Sequence, residues 1–340
     1  MTAPLENLDR GSWREWQACP LPPWCANGPT LFGIRSSTLA DDFEQLDVAV
    51  CSVCFDGTAS THIGARDGPA SIRTASRSFS SQASSRGPVD LTNMRTGARG
   101  RPRSRAMADF GDLHVFPTDP DLQVRATAAE ILEIAHRGRL VVMLGGEHTI
   151  SFPAFAAVAK AEQDHQVGYV QIDHHFDFGD TSVLHGKYYH GSNARRISEI
   201  PGMAASRIGF VGQGDITGTE QLARLLEDGC TVRHRRDIHK LGYATALRQT
   251  LDAVCRHATA GVYVSIDIDV CDGSVAPGTG HVTMGGISVD DFLMTAMILQ
   301  EYPVRAIDLV EVNPGRDGSG RTSTIAARLL YEYLLIDWQP

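Results

Sequence analysis

The stretch VGYVQIDHHFDFGD, residues 167–180, runs from an apolar segment straight into two aspartates and two histidines, Asp173, His174, His175 and Asp177. Its first half is apolar at consecutive positions, as in a strand buried on both faces, and such strands belong to parallel sheets with helices above and below. Its second half is charged. In an open parallel sheet, ligands bind beyond the carboxyl ends of the strands, where the loops diverge. Either this strand end faces water, or it holds something positive.

Working outward, the same kind of apolar run recurs in LDVAVCSV (46–53), RLVVMLGG (139–146), SRIGFVG (206–212), GVYVSIDID (261–269) and VRAIDLVEV (304–312). Between these runs lie segments with helical spacing: DLQVRATAAEILEIAHRG, SFPAFAAVAKAEQD, TGTEQLARLLEDG, YATALRQTLDAVCRH and SVDDFLMTAMILQEY. Strand–helix alternation of this length predicts an α/β fold, a three-layer αβα domain around a doubly wound, mainly parallel sheet. The first 45 residues, rich in Pro and Trp, read as an arm packed on a domain spanning 46–340. Residues 76–105 are rich in Ser, Gly and Arg and read as a solvated or interface loop.

With 340 residues, 42% of them hydrophobic and 21% charged, the chain has ample material for a core. A net charge of −9 leaves nothing to offset phosphate repulsion, so a general nucleic-acid binder is not expected. GFVGQGDITG carries Gly212 and Gly214 after a strand but lacks the full dinucleotide fingerprint. No segment has the length of a membrane span or the pattern of a signal peptide, and the expected location is cytoplasmic. Seven scattered cysteines suit a reducing compartment. Cys51 and Cys54, although spaced as CxxC, lie in an apolar run and read as core residues.

Other strands end as the first one does. VVMLGGEHT ends in His148, VSIDIDVCD in Asp267, Asp269 and Asp272, and AIDLVEVNP in Glu311. If each strand continued extended, Asp173, His175 and Asp177 would share one side, as would Asp267 and Asp269. Converging carboxylates repel and raise one another's pKa unless a cation lies among them. Four aspartates and two histidines exceed the needs of one tetrahedral zinc and suit two divalent ions. An oxygen-dominated set favours Mn²⁺, and the two imidazoles leave Ni²⁺, Co²⁺ or Zn²⁺ open. Taken singly, each residue is as well explained as a turn former, a helix cap or a satisfied core histidine.

GGEHT, DHHFD and SIDIDVCD…APGTG resemble the three metal-binding blocks of the ureohydrolases, the arginase and agmatinase superfamily. The blocks FDGTASTHIGARDGPASIR, YYHGSNARR and EVNPGRDGSGRTSTIAARLL resemble its agmatinase-like branch. The likeness runs from about Leu46 to Leu335 and implies a catalytic domain over 46–340. It implies metal ligands His148, Asp173, His175, Asp177, Asp267 and Asp269, holding two Mn²⁺ ions bridged by a hydroxide that attacks a guanidinium carbon to give urea and an amine. It further implies that Glu311 binds the guanidinium, that His190 shuttles a proton to the leaving amine, and that Asp177 stabilises the intermediate.

The chain also departs from the family pattern. His174 stands in place of alanine, Gly273 follows Asp272 in place of proline, and GHVTMGGIS replaces a Thr-Pro-containing continuation. The 178–190 loop lacks the Asn and Ser donors with which arginases hold an amino-acid head group, which argues against arginine. Expected substrates are therefore agmatine, guanidino acids, or guanidines and biguanides, the last group being the one for which nickel is known in this branch. Tyr188 and Tyr189 are expected to narrow the pocket, and Asp180 to pair with a cationic tail. The resemblance implies a homo-oligomer, a trimer or hexamer. The alternative is an inactive partner subunit in a hetero-oligomer with an active paralogue.

Overall fold

The computed structural model describes residues 5, 7–25, 28–41, 45–85, 89–162 and 166–339. In chain order its strands are β1 (Arg35–Ser36), β2 (Leu46–Val53), β3 (Leu91–Thr92), β4 (Arg99–Pro102), β5 (Met107–Asp112), β6 (Gly138–Gly145), β7 (Gly168–Ile172), β8 (Ile208–Val211), β9 (Thr231–Arg233), β10 (Val262–Asp267), β11 (Val304–Val310) and β12 (Ile336–Gln339). The helices are α1 (Gly68–Ser85), α2 (Pro120–Ala135), α3 (Ser151–Ala161), α4 (Asn193–Ser198), α5 (Thr219–Glu227), α6 (Arg235–Leu241), α7 (Tyr243–Cys255), α8 (Val289–Leu299) and α9 (Arg321–Leu334). Nine strands form one parallel sheet in the order β1-β5-β2-β6-β11-β10-β7-β8-β9.

Alternate residues of each central strand feed two separate cores, which is why the strands read as continuous apolar runs. On β2, Ala49, Cys51 and Val53 join Ile131 of α2 and Phe155 of α3, whereas Val48 and Val50 join Ile72 of α1 and Leu330 of α9. Leu247 of α7 and Phe292 of α8 complete the second layer. The chain therefore has the three-layer αβα architecture expected of it. Helix ends follow local chemistry. Asp119 caps α2, accepting from the Leu122 amide at 2.9 Å with Pro120 in the first turn, and Ser288 caps α8 through the Asp291 amide at 3.1 Å.

One expectation needs correction. Residues 76–105 are not one loop: the segment begins inside α1 and ends with β3 and β4, which pair with β12 in a small antiparallel sheet. The serines hid a helix whose buried stripe, Ile72, Ser76 and Phe79, is spaced at three and four residues. Residues 86–88 lie outside the described residues. The N-terminal segment does more than pack on the domain. Trp13, Trp16, Leu31 and Phe32 are buried, and β1 extends the sheet alongside β5.

Candidate metal centre and active site

Strands β6, β11, β10 and β7 are consecutive neighbours in the sheet. Their registers place Leu144 opposite Leu309, Asp267 opposite Val310 and Ile266 opposite Ile172, so their carboxyl ends finish almost level. His148, Asp173, His175, Asp177, Asp267, Asp269 and Glu311 therefore gather over the middle of the sheet, whereas Asp272 turns away to accept hydrogen bonds from Ser274 and the Gly285 amide.

Local turns, rather than continued pleating, bring the carboxylates together. After β7 the chain leaves the extended conformation: Asp173 Oδ1 accepts the His175 amide at 2.6 Å, and Asp177 adopts a left-handed φ of 45°. After β10 the chain enters a 3-10 turn, and Asp267 accepts the Asp269 amide at 2.8 Å. These are aspartate turns, which fold a side chain back on the backbone two residues on. Turns after the strands, not strand parity, bring these side chains near one another. His148 opens a 3-10 turn after Gly146. A side chain at Gly146 would lie 1.8 Å from the Phe55 carbonyl, so only glycine lets this turn pass the end of β2.

Two donor clusters result, and they share Asp173. One comprises His148, Asp173, Asp177 and Asp267, the other Asp173, His175 and Asp269, with the ligand atoms of each lying within 4.8 Å of one another. His148 Nδ1 faces Asp177 at 2.9 Å, Asp173 at 3.2 Å and Asp267 at 3.3 Å, and His175 Nδ1 faces Asp269 at 3.1 Å. Yet His148 Nδ1 and Asp269 Oδ1 are buried without a well-directed hydrogen bond. Burial, reinforced by neighbouring aspartates, pushes the Asp267 carboxyl well up and Asp269 to about 6. At Asp173 burial acts the same way, but His148 and His175 outweigh it and hold the carboxyl below its usual range. Orphaned donors and crowded buried acids fit a pair of divalent cations, which would satisfy both at once.

Beneath the ligands lies a buried polar floor. His148 Nε2 meets Ser265 Oγ at 2.8 Å, and Ser265 donates to Asp308 at 2.7 Å, as Tyr263 does at 2.6 Å. Gln171 donates to Asp173 at 2.7 Å and accepts from Tyr169 at 2.9 Å. Such partners orient ligands before any ion arrives.

Above the ligands is a cavity of about 220 Å³, lined by Ser60, His175, Asp177, Tyr189, His190, Gly191, Asp267, Asp269, His281 and Glu311. Glu311 takes φ 64°, and its Oε1 accepts the His148 amide at 2.9 Å. Asp177 and Glu311 are two of the three non-glycine residues with positive φ among the described residues. Each costs on the order of 1–3 kcal/mol, and such strain concentrates at functional sites. His190 Nδ1 lies 3.7 Å from Glu311, and its Nε2 lies 2.9 Å from Ser60 Oγ. Burial opposes the His190 charge, but Glu311, Glu147 and Asp177 prevail and raise its pKa to about 9. Burial raises the Glu311 carboxyl too, but His190 and the His148 amide bring it below its ordinary value.

Of the residues expected in the pocket, Tyr189 lines it and Tyr188 does not: Tyr188 is buried and stacks on Phe152 at 5.8 Å. Asp180 also points elsewhere, into an ion pair with Arg196 at 2.7 Å with its own side chain 74% exposed. His174 is buried behind the ligands, against Gly214. Sequence reasoning missed Ser60, His281 and Glu147. Ser60 lies inside a matched block and His281 in the GHVTMGGIS segment that departs from the family pattern, neither at a strand end, and Glu147 looked like a neighbour of His148 but is buried against Thr58 and Thr149. A larger cavity of about 530 Å³ lies between the N-terminal segment and β5, where Arg73 already pairs with both Asp109 and Asp112.

The sequence profile of the arginase family matches residues 46–336. The guanidinopropionase of Pseudomonas aeruginosa is 28% identical, covering 92% of this chain and 93% of its own, and the guanidinobutyrase of the same organism is 30% identical, covering 87% and 88%. The structure of the proclavaminate amidino hydrolase of Streptomyces clavuligerus superposes with a TM-score of 0.73 at 26% identity, covering 92% of this chain and 99% of its own.

Proposed function

The chain belongs to the arginase family of hydrolases acting on C–N bonds in guanidino compounds, and on that premise we propose that it is a dinuclear-metal amidinohydrolase, cleaving a small guanidino compound to a urea-type product and an amine. The observation that carries this reading is the pair of donor clusters sharing Asp173 directly under a pocket that contains Glu311 and His190.

His148, Asp173, Asp177, Asp267, His175 and Asp269 would hold the ions, Mn²⁺ by the oxygen-rich donor set and Ni²⁺ by the imidazoles. The ions supply Lewis acidity that makes water a nucleophile near neutral pH. The rest falls to the chain. Glu311, kept ionised, takes the planar guanidinium through paired charge-assisted hydrogen bonds and fixes the orientation of its carbon. His190, whose protonated form Glu311 favours, delivers a proton to the departing nitrogen, without which an amine leaves poorly. Asp177, reaching the pocket as well as the cluster, accepts a hydrogen bond from the attacking water. A cytoplasmic homo-oligomer, trimer or hexamer, completes the reading, and sedimentation of the purified protein tests that stoichiometry.

The direct test is urea release from a panel of guanidine, a biguanide, agmatine, 4-guanidinobutyrate and arginine, after loading with Mn²⁺ and separately with Ni²⁺. The reading expects turnover of at least one compound, with arginine poor. A metal-loaded protein that releases no urea-type product from any of them would overturn it.

A further inference from the structure

We propose that His281 is a specificity-determining residue, a wall that limits the pocket to guanidine and to guanidines with short, uncharged substituents and excludes guanidino compounds with long or carboxylate-bearing tails. This deepens the preceding reading and rests on it.

Three imidazoles border the cavity. The His281 ring lies 5.5 Å from that of His175 and 5.8 Å from that of His190, and its Nε2 is 3.4 Å from Ser60 Oγ. Ser60 thus bridges His281 and His190 across the opening. On another side stands Tyr189, whose hydroxyl would lie 2.0 Å from any side chain built at Gly179. With a volume of about 220 Å³ and aromatic rings on several sides, the cavity is smaller than the roughly 300–1,000 Å³ usual for a small-molecule site. No lysine or arginine is among its lining residues, and the His190 imidazole already faces Glu311 at 3.7 Å, so a tail carboxylate would be desolvated beside Glu311 and the aspartates without a cation of its own.

The wall is held in place. Thr279 bridges Val312, the residue after Glu311. The Gly280 carbonyl accepts from His62 at 3.1 Å and from Thr61 at 3.2 Å. Beyond His281, the Gly273 amide donates to the Thr283 carbonyl at 2.8 Å, and the Gly285 amide to Asp272 at 2.8 Å. Gly273 packs closely under this loop. A Cβ there would lie 2.4 Å from Val282 Cγ1 and 3.0 Å from the Thr283 carbonyl, so Val282 and the 282–283 backbone would have to shift to admit it. Gly273 and the GHVTMGGIS segment, two departures from the family pattern, therefore pack against each other, and the segment presents the His281 ring.

The test compares the metal-loaded wild type with His281→Ala and with Gly273→Ala, which disturbs the loop from outside the pocket. Urea release and calorimetric affinity are measured for guanidine, methylguanidine, 3-guanidinopropionate, 4-guanidinobutyrate and agmatine. In the wild type the two smallest compounds are expected to be preferred. His281→Ala should raise the ratio of tailed to untailed compounds by about tenfold or more, the scale on which a pocket discriminates single methylenes. Gly273→Ala should move it in the same direction by less. A wild type that takes 4-guanidinobutyrate or agmatine as well as guanidine, or a ratio unmoved in both variants, overturns the proposal. If no compound is hydrolysed, the hydrolytic reading falls, and the affinity ratios still decide the role of His281.

Discussion

His148 Nε2 lies 2.8 Å from the hydroxyl of Ser265, whose own proton is directed to Asp308 at 2.7 Å. With its proton so committed, Ser265 accepts from Nε2–H, which leaves Nδ1 as a lone pair turned toward three aspartates, the tautomer a cation requires. Ser265→Ala should therefore weaken metal binding by about 10–100-fold while leaving the fold intact. Competition with a coloured chelator measures it, and an unchanged affinity would mean that the floor does not orient the ligand.

Glu311 and His190 adjoin each other but should fail differently. Glu311→Gln removes the charge that anchors the guanidinium, worth about 1.5–3 kcal/mol for a charged hydrogen bond, or roughly tenfold to a hundredfold or more in kcat/KM. His190→Ala removes a proton donor and should lower kcat by about 10²-fold or more. Neither residue belongs to the donor clusters around Asp173, so bound metal should stay near wild-type levels in both variants. Loss of metal in either would move that residue from substrate handling into the ligand set.

The fold was largely legible because burial on both faces writes a continuous apolar run, and the four strands that carry the site all have one. β5, MADFGD, was not legible: its polar Asp109 is buried by pairing with Arg73 of α1, a partner no local pattern discloses. The clustered aspartates and histidines were legible because charge at the end of an apolar run is conspicuous. Tyr188 and Asp180 misled for the opposite reason. Adjacent residues on an irregular loop point in unrelated directions, and only the packing of Phe152 and the reach of Arg196 decide which of them meets the pocket.

Away from the site, His114 Nδ1 lies 2.7 Å from Glu130 in a half-buried pair. The hydrogen bond to Glu130 raises the His114 pKa above its ordinary value, although burial opposes it. A raised folded-state pKa means that this stabilisation is complete below about pH 6.5, where the unfolded chain's histidine is also protonated, and is lost as pH climbs through the folded value. The difference in Tm between wild type and His114→Gln should thus be largest in mild acid and shrink toward alkaline pH. A gap that widens with pH would contradict the assignment.

The central claim is that six side chains from three strand ends hold a pair of dications, and metal stoichiometry tests it most directly. Protein stripped with chelator and titrated with Mn²⁺ or Ni²⁺ should take up two ions per chain. Asp269→Asn should lower that number and abolish urea production, and His174→Ala should keep both close to wild type. Uptake of no ion by the wild type, or two ions and full activity in Asp269→Asn, would contradict the account.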